Sequence, residues 1–518
     1  MPTASGILHR IRDLFEEELR PLILQVHAHP EALSLVEMED KTMQGLVVVG
    51  RELLGLLAGC LGPTPLAVPS RKDPEAVLPR RGLKERTILT TFGEIRFSRP
   101  YYHDKELQES RWPRDEQLGL RPREKFSPRL QEVVAYLSTV THSYDQAAQV
   151  LSRLRGVEIA YKQAQREVLR IGEEIEKEAD ARIQEAFPKK ANPKLPWEGV
   201  ATMVIGCDGI TTPHCAGSDM EIKVGRVDVV ALQAPPSSSG RQHKRQKRRR
   251  AGRETARDEK RQEQLSDLKD SREQREYQAA SRLVEDVLKE AFPERRDKPR
   301  MAKTSERSTY RATARLGVET IGRLLWLAAK DRGLGVNTKV IFLSDGGGWC
   351  RTVAETNFPG ACLILDIFHL ARHVIALANA LHTPESQTNR EWRYKVLLAL
   401  ATGNAGAVLD TLESVEFSSQ RQQEEAQKFV AYVKANRDRM NYPEYAKAGY
   451  PLGSGIIEGA CRHVIGDRMK GSGRHWDDDG GDAMARLRAI ECSQEWDETF
   501  KRRFQARQPA GPALALAA

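Results

Sequence analysis

Three acidic residues that lie far apart in the chain stand where chemistry could be done. Asp208 follows the apolar run VATMVIGC, Asp345 follows KVIFLS, and Glu458 sits in the glycine-punctuated helix start GYPLGSGIIEGAC. Carboxylates brought together from different elements offer hard oxygen donors, the kind that Mg²⁺ and Mn²⁺ take. Two such ions held about 4 Å apart serve phosphoryl transfer, one at the attacking oxygen and one at the leaving oxygen. Taken singly, each residue has a plain structural use. Asp-Gly after a strand is a turn signal, the three glycines after Asp345 make a tight turn, and a lone helical Glu is ordinarily solvated. Only their joint placement lifts them above those uses.

The elements that must position them read as a mixed α/β core. VATMVIGCDG is a continuous apolar run with the look of a buried central strand ending at Asp208, and EIKVGRVDVVAL from Glu221 is a second strand. STYRATARLG is a third strand, ETIGRLLWLAAKDRGLG an amphipathic helix, KVIFLSDGGGW a fourth strand ending in Asp345, and ACLILDIFH a fifth. Three strands, helix, strand, helix, strand is the order of the ribonuclease-H-like fold. In it the first and fourth strands are neighbours, so Asp208 and Asp345 converge at one sheet end and the helix of Glu458 can pack across it. The core is expected over residues 198–235 and 304–500, with a helical insertion at 384–446 and a disordered tail at 501–518.

Upstream, residues 1–65 read as two amphipathic helices, a packing or dimer-forming module that ends at Gly62-Pro63. Residues 80–192 begin with the alternating TILTTFGEIRFSRPYY, a β-hairpin, and continue with three helices. A short helix, the Gly156 stop and a helix opening with Lys162, Gln163, Gln165 and Arg166 fit a helix-turn-helix in the major groove, Lys162 and Arg166 contacting DNA. An ordinary three-helix bundle fits equally well. Between the first two acidic residues, 236–303 is a charged insertion, part disordered and part solvated helix rather than core. Its RQHKRQKRRR, including Lys244, Arg245, Lys247 and Arg248, fits non-specific contact with DNA phosphates, or alternatively a solvated tail.

The 518 residues carry a formal charge of +9, a balance that attracts polyanions. Seven scattered cysteines without a CxxC pair argue against a disulfide framework and a zinc ribbon, and His214-Cys215 beside Cys207 fits no common ligand spacing. With no apolar leader, and with Arg51 and Glu52 breaking the most apolar stretch, the expectation is a cytoplasmic, nucleoid-associated protein without a membrane span.

CDGITTP, FLSDGGGW followed by NFPGACLILDIFHLARH, and YPLGSGIIEGACRHVIGDRMKGSGRHW resemble the signature blocks of Mutator-like insertion-sequence DDE transposases, and look like those of the Kra-type bacterial branch. The likeness covers roughly residues 85 to 500 and is strongest in these three blocks. It implies that Asp208, Asp345 and Glu458 are the catalytic and metal-holding set for two Mg²⁺ or Mn²⁺ ions. The family's D/C-x-x-H element falls on Asp366 and His369, implying support of the active site, with His369 as a phosphate contact or proton carrier. The alternative is a helix N-cap Asp with a histidine packed beneath it. Beyond Glu458, the basic loop of Arg468, Lys470, Arg474 and Trp476 could bind phosphate and stack a frayed base, or Trp476 could be a core anchor. Two features depart from the family. YYHDKELQES stands where relatives often carry a cysteine pair, so no structural zinc is expected, and the basic insertion is unusually long.

The expected function is metal-dependent cleavage at transposon ends and strand transfer into target DNA. Expected partners are double-stranded DNA, as terminal inverted repeats and target, and further copies of this chain. The rivals are an inactive transposase-like DNA-binding protein and a ribonuclease-H-like nuclease that cuts without joining.

Overall fold

Local signals in the sequence set most element boundaries. In the computed structural model the described residues run from 4 to 507 without 30, 32, 61–64, 74, 189–192, 234–269, 297–299, 305, 306, 454 and 472; side chains are also left out at 270–277, 296, 455, 456 and 458. The chain divides into two compact units, Met1–Arg170 with Glu495–Ala518, and Ile171–Gln494.

The first unit opens with α1 (Ala4–Ala28) and α2 (Leu35–Gly59), the latter begun by a capping box between Ser34 and Glu37. Strands β1 (Ala67–Pro69), β2 (Val77–Thr90), β3 (Gly93–Asp104) and β4 (Glu109–Arg111) form an antiparallel sheet in sequential order. The expected hairpin is its β2–β3 centre, with Gly93 in the left-handed region at φ 103°. After α3 (Pro113–Gln117) come α4 (Pro128–Val140), α5 (Tyr144–Arg155) and α6 (Tyr161–Ala186). Gly156, at φ 63°, ends α5, and Leu130, Val134, Leu151, Val157 and Ala164 close a small core among the three helices.

In the second unit β5 (Thr202–Pro213) and β6 (Asp219–Gln233) form a long antiparallel hairpin. Then follow α7 (Asp270–Ala291), β7 (Arg300–Lys303), β8 (Thr309–Thr313), α8 (Val318–Asp331), β9 (Lys339–Ser344), α9 (Gly348–Asn357) and β10 (Cys362–Leu365). The sheet order is β10-β9-β5-β6-β7, with β8 also pairing β6. Strands β5, β9 and β10 run parallel, while β7 and β8 are antiparallel to β6. Helices α10 (Ile367–Leu381), α11 (Gln387–Ala401), α12 (Ala405–Glu413), α13 (Gln420–Asn436) and α14 (Tyr442–Lys447) follow. Next are α15 (Gly455–Cys461), a π-helical turn at Arg462–Gly466, α16 (Asp467–Met469) and α17 (Asp478–Cys492). The first unit closes with α18 (Trp496–Arg507).

The two sheet faces bury different sets, as the period of two requires. Met203, Ile205, Cys207 and Phe342 pack with α8 and α9, whereas Val204, Ile341, Leu343 and Ile364 pack with α7, α10 and α11.

Three expectations need correction. Asp208 does not end its strand, because pairing with β6 carries β5 on to Pro213. The charged insertion 236–303 is not all solvated: Ala280, Leu283, Val284 and Val287 recur at three-to-four spacing on α7 and join the core beside α10 and α11. Residues 501–507 are no tail but part of α18, where Trp496 and Phe500 stack with ring centroids 4.7 Å apart and are buried.

Candidate active site

Strand register decides where the first two acidic residues lie. Parallel pairing of β5 with β9 runs from Thr202↔Lys339 to Cys207↔Ser344. Asp208 and Asp345 are the next residue on each strand, side by side where β9 ends and β5 continues. By alternation Asp208 shares the sheet face of Val204 and Gly206. Both carboxylates are half-buried. One oxygen of Asp345 accepts from the Gly347 amide at 2.9 Å, and one of Asp208 accepts from the Gly209 amide at 2.7 Å. The glycine run after Asp345 is therefore also a tight turn. Gly346 has φ 95°, and a Cβ there would lie 2.9 Å from the Tyr432 ring and from Leu365.

Helix α15, which carries Glu458, lies across β5 and β6. Its anchor is Ile457, fully buried against Gly206; a Cβ on Gly206 would fall 1.4 Å from Ile457 Cδ1 and 2.7 Å from the Leu343 carbonyl oxygen. Two residues before Asp208 and on the same face, glycine is thus what lets this helix approach. The side chain of Glu458 lies outside the described residues, and only its place on α15 is given. The stretch leading into α15 is tied to the start of α10: the Ile367 amide donates to the Leu452 carbonyl at 3.1 Å.

Asp366 is 3 % exposed and caps α10, accepting from the Phe368 amide at 2.9 Å, while its own amide donates to the Ser344 carbonyl. This is the helix-capping use foreseen as the alternative, and it locks β10 to β9 beside Asp345. One helical turn on, His369 is half-buried, and burial holds its imidazole below the ordinary value although Asp345 and Asp366 pull it upward. His373, whose ring lies 5.1 Å from that of His369, is brought down to about 4 by burial and then by His369 and Arg372. On the opposite face, burial pushes the Cys350 thiol far up, with the nearby Cys207 and the carboxylates of Asp345 and Asp208 adding to it. The thiol donates to the Cys207 carbonyl and acts as packing rather than as a metal ligand.

Sequence reasoning missed Tyr432 and Arg439, which come from the helical insertion. The Tyr432 hydroxyl donates to the Asp345 carbonyl at 2.7 Å, and its ring stacks on His373 at 3.9 Å. Arg439 is 3 % exposed and donates to Ser344 Oγ at 3.2 Å, to the Gly346 carbonyl at 3.4 Å and to the Asn436 side chain. RDRM gives no sign of this; the i,i+4 spacing of His369 and His373 was the one available signal.

The basic loop after Glu458 is built differently from expectation. Trp476 is 6 % exposed, its indole N–H donates to the Met469 carbonyl at 3.0 Å, and Arg468 lies over its ring at 5.2 Å. Its backbone bridges to the end of β5 through Pro213 and Cys215. A ring so enclosed has no face for a base, so Trp476 is the core anchor of the loop. Arg468 is buried as well, and Arg474 donates to the Asp467 and Arg468 carbonyls, with burial lowering its guanidinium from the ordinary value. Lys470 is half-buried. Lys162 and Arg166 are exposed at the start of α6, whereas Lys244, Arg245, Lys247 and Arg248 lie outside the described residues.

The oxygen donors of Asp208 and Asp345 suit a hard divalent cation. Among the described residues, which do not include the Glu458 side chain, no group of three or more His, Cys, Asp or Glu is placed to hold a metal ion. Among them, too, no helix is long and apolar enough to cross a membrane.

The chain belongs to the uncharacterised protein family UPF0236, whose family model matches residues 29–192 and 331–501. Those stretches include Asp345, Asp366, Arg439 and Glu458, while Asp208 lies between them. No curated protein matches the chain.

Proposed function

We propose that this protein is a DNA transposase of the Mutator-like DDE type, built on a ribonuclease-H-like core, in which Asp208, Asp345 and Glu458 hold two divalent ions. One observation carries the reading: the β5–β9 register sets Asp208 beside Asp345 at one end of the sheet, on the face across which α15 lies. The strand order, with the β5–β6 hairpin extended on the β5 side by two parallel strands and on the β6 side by antiparallel ones, supports the same core. The signature blocks around these residues support the transposase branch.

Two Mg²⁺ or Mn²⁺ ions, when bound, would polarise the scissile phosphate and favour deprotonation of an attacking water or 3′-hydroxyl. Within the chain, Asp208 and Asp345 supply donors from the ends of two central strands, Glu458 supplies a third from α15, and Asp366 fixes β10 against β9. His369, kept neutral by burial, is available as a hydrogen-bonding partner to a phosphate or as a proton carrier. The exposed start of α6, with Lys162 and Arg166, presents a basic helix end to double-stranded DNA, and paired ends call for more than one copy of the chain.

The test is a nicking and strand-transfer assay of the full chain on DNA carrying the ends that flank its own gene. Cleavage that requires Mg²⁺ or Mn²⁺, followed by joining to target DNA, is expected. Cleavage without joining would make the protein a nuclease, and end binding without metal-dependent cleavage would make it a binding protein.

A further inference from the structure

The sheet ends at β10, and an edge strand leaves alternate carbonyls without a strand partner. On β10 two of these belong to Leu363 and Leu365, and tyrosines take both: the Tyr445 hydroxyl donates to Leu363 at 3.2 Å and the Tyr442 hydroxyl to Leu365 at 3.1 Å. Slightly upstream in the same insertion, two side chains reach past the edge to the turn after β9. Tyr432 donates to the carbonyl of Asp345, and Arg439 to that of Gly346 and to the hydroxyl of Ser344. Three consecutive residues, Ser344 to Gly346, are therefore held by two side chains from the insertion, whose bonds go to two carbonyls and a hydroxyl rather than to the Asp345 carboxylate. Gly346 records how close the hold is, since any Cβ there would strike Tyr432. Burying a guanidinium is costly unless its hydrogen bonds are used, and the two terminal nitrogens of Arg439 use theirs on Ser344, Gly346 and Asn436.

We infer that Tyr432 and Arg439 are positioning residues, a clasp by which the helical insertion sets the direction of the Asp345 carboxylate for metal. This rests on the reading of Asp345 as a metal-holding residue. The insertion is then part of the site rather than a spacer between Asp345 and Glu458. Tyr432→Phe removes one hydroxyl while keeping the ring stacked on His373, and Arg439→Lys keeps the charge but loses the fork that spans Ser344 and Gly346. Tyr445→Phe is the control, because it removes the same kind of bond from an edge carbonyl two residues before the end of β10.

The experiment is an Mn²⁺ titration of the full chain followed by electron paramagnetic resonance of the free ion, with thermal midpoints measured in parallel. Tyr432→Phe and Arg439→Lys are expected to weaken Mn²⁺ binding on the order of tenfold, the usual scale for groups that orient a ligand from behind. Tyr445→Phe is expected to lower the midpoint about as much as Tyr432→Phe does while leaving Mn²⁺ binding at the wild-type level. Should Arg439→Lys fail to fold, Tyr432→Phe decides alone. The clasp is overturned if Tyr432→Phe binds like wild type while Asp345→Asn does not bind. If Asp345→Asn binds Mn²⁺ as wild type does, the metal reading of Asp345 itself falls, and the clasp with it.

Discussion

The turn after β9 and the loop from Arg468 to Trp476 both stand out in the sequence, yet they use their polar groups in opposite ways. At the turn, side chains from elsewhere satisfy the backbone: Tyr432 and Arg439 take the carbonyls of Asp345 and Gly346. In the loop, the functional-looking side chains satisfy their own backbone, with Arg474 on the Asp467 and Arg468 carbonyls and Trp476 on that of Met469. A donor committed to a carbonyl is not offered to a ligand, because an unmade buried hydrogen bond costs about 1–3 kcal/mol. Chemistry is therefore expected where neighbours hold the chain, and architecture where the chain holds itself.

The largest effect that could break this comparison is on cleavage. Asp345→Asn and Asp208→Asn are each expected to lower metal-dependent nicking by at least about 10³-fold, since a lost metal ligand removes several kcal/mol of transition-state stabilisation. DNA retention in a gel-shift assay should stay near wild type, and near-normal nicking by either variant would remove that residue from the set. Next in size is Trp476→Ala, expected to cost about 3–5 kcal/mol of stability in denaturant unfolding through the cavity it leaves. Trp476→Phe should recover much of that loss without changing DNA affinity; a large affinity loss in a stable Trp476→Phe protein would mean that the ring meets DNA after all.

Gly206→Ala sharpens the comparison at β5. Its Cβ would collide with Ile457 and the Leu343 carbonyl, so a cost of about 1–3 kcal/mol is expected from overpacking. Ile457→Val in the same chain should return part of that but not all, because the carbonyl cannot withdraw; additivity of the two changes would mean they do not touch. The smallest effect concerns His373. Its imidazole is held near 4 by burial, below the usual value of about 6.5, so the neutral form stabilises the fold above that usual value. That contribution is lost as pH falls from about 6.5 toward 4. His373→Phe keeps a ring against Tyr432 but cannot titrate, and its thermal midpoint should fall less than that of wild type between pH 7 and pH 4.5.

The sequence made β5, β9 and β10 legible because buried parallel strands read as continuous apolar runs, and with them the adjacency of Asp208 and Asp345. It also placed Glu458 on a helix after Gly455, though not the Gly206–Ile457 contact that seats that helix, since a glycine inside a strand has several meanings. The core role of α7 was hidden by the basic segment before it: Ala280, Leu283, Val284 and Val287 form a narrow stripe in a charged surround. Arg439 and Tyr432 were illegible for a different reason. The bonds that reach the turn go to the carbonyls of Asp345 and Gly346, nearly a hundred residues away, and a carbonyl leaves no mark in a sequence. Trp476 had both readings open, and only its burial and the Met469 bond decide between them.

The most direct measurement replaces the hard cation with Fe²⁺ and lets ascorbate and peroxide cut the full chain wherever the metal sits. Backbone cleavage beside Asp208 and Asp345 is expected, suppressed by excess Mg²⁺ and absent in Asp345→Asn. Cuts confined to other positions, or the same cuts in Asp345→Asn, would contradict a metal held there.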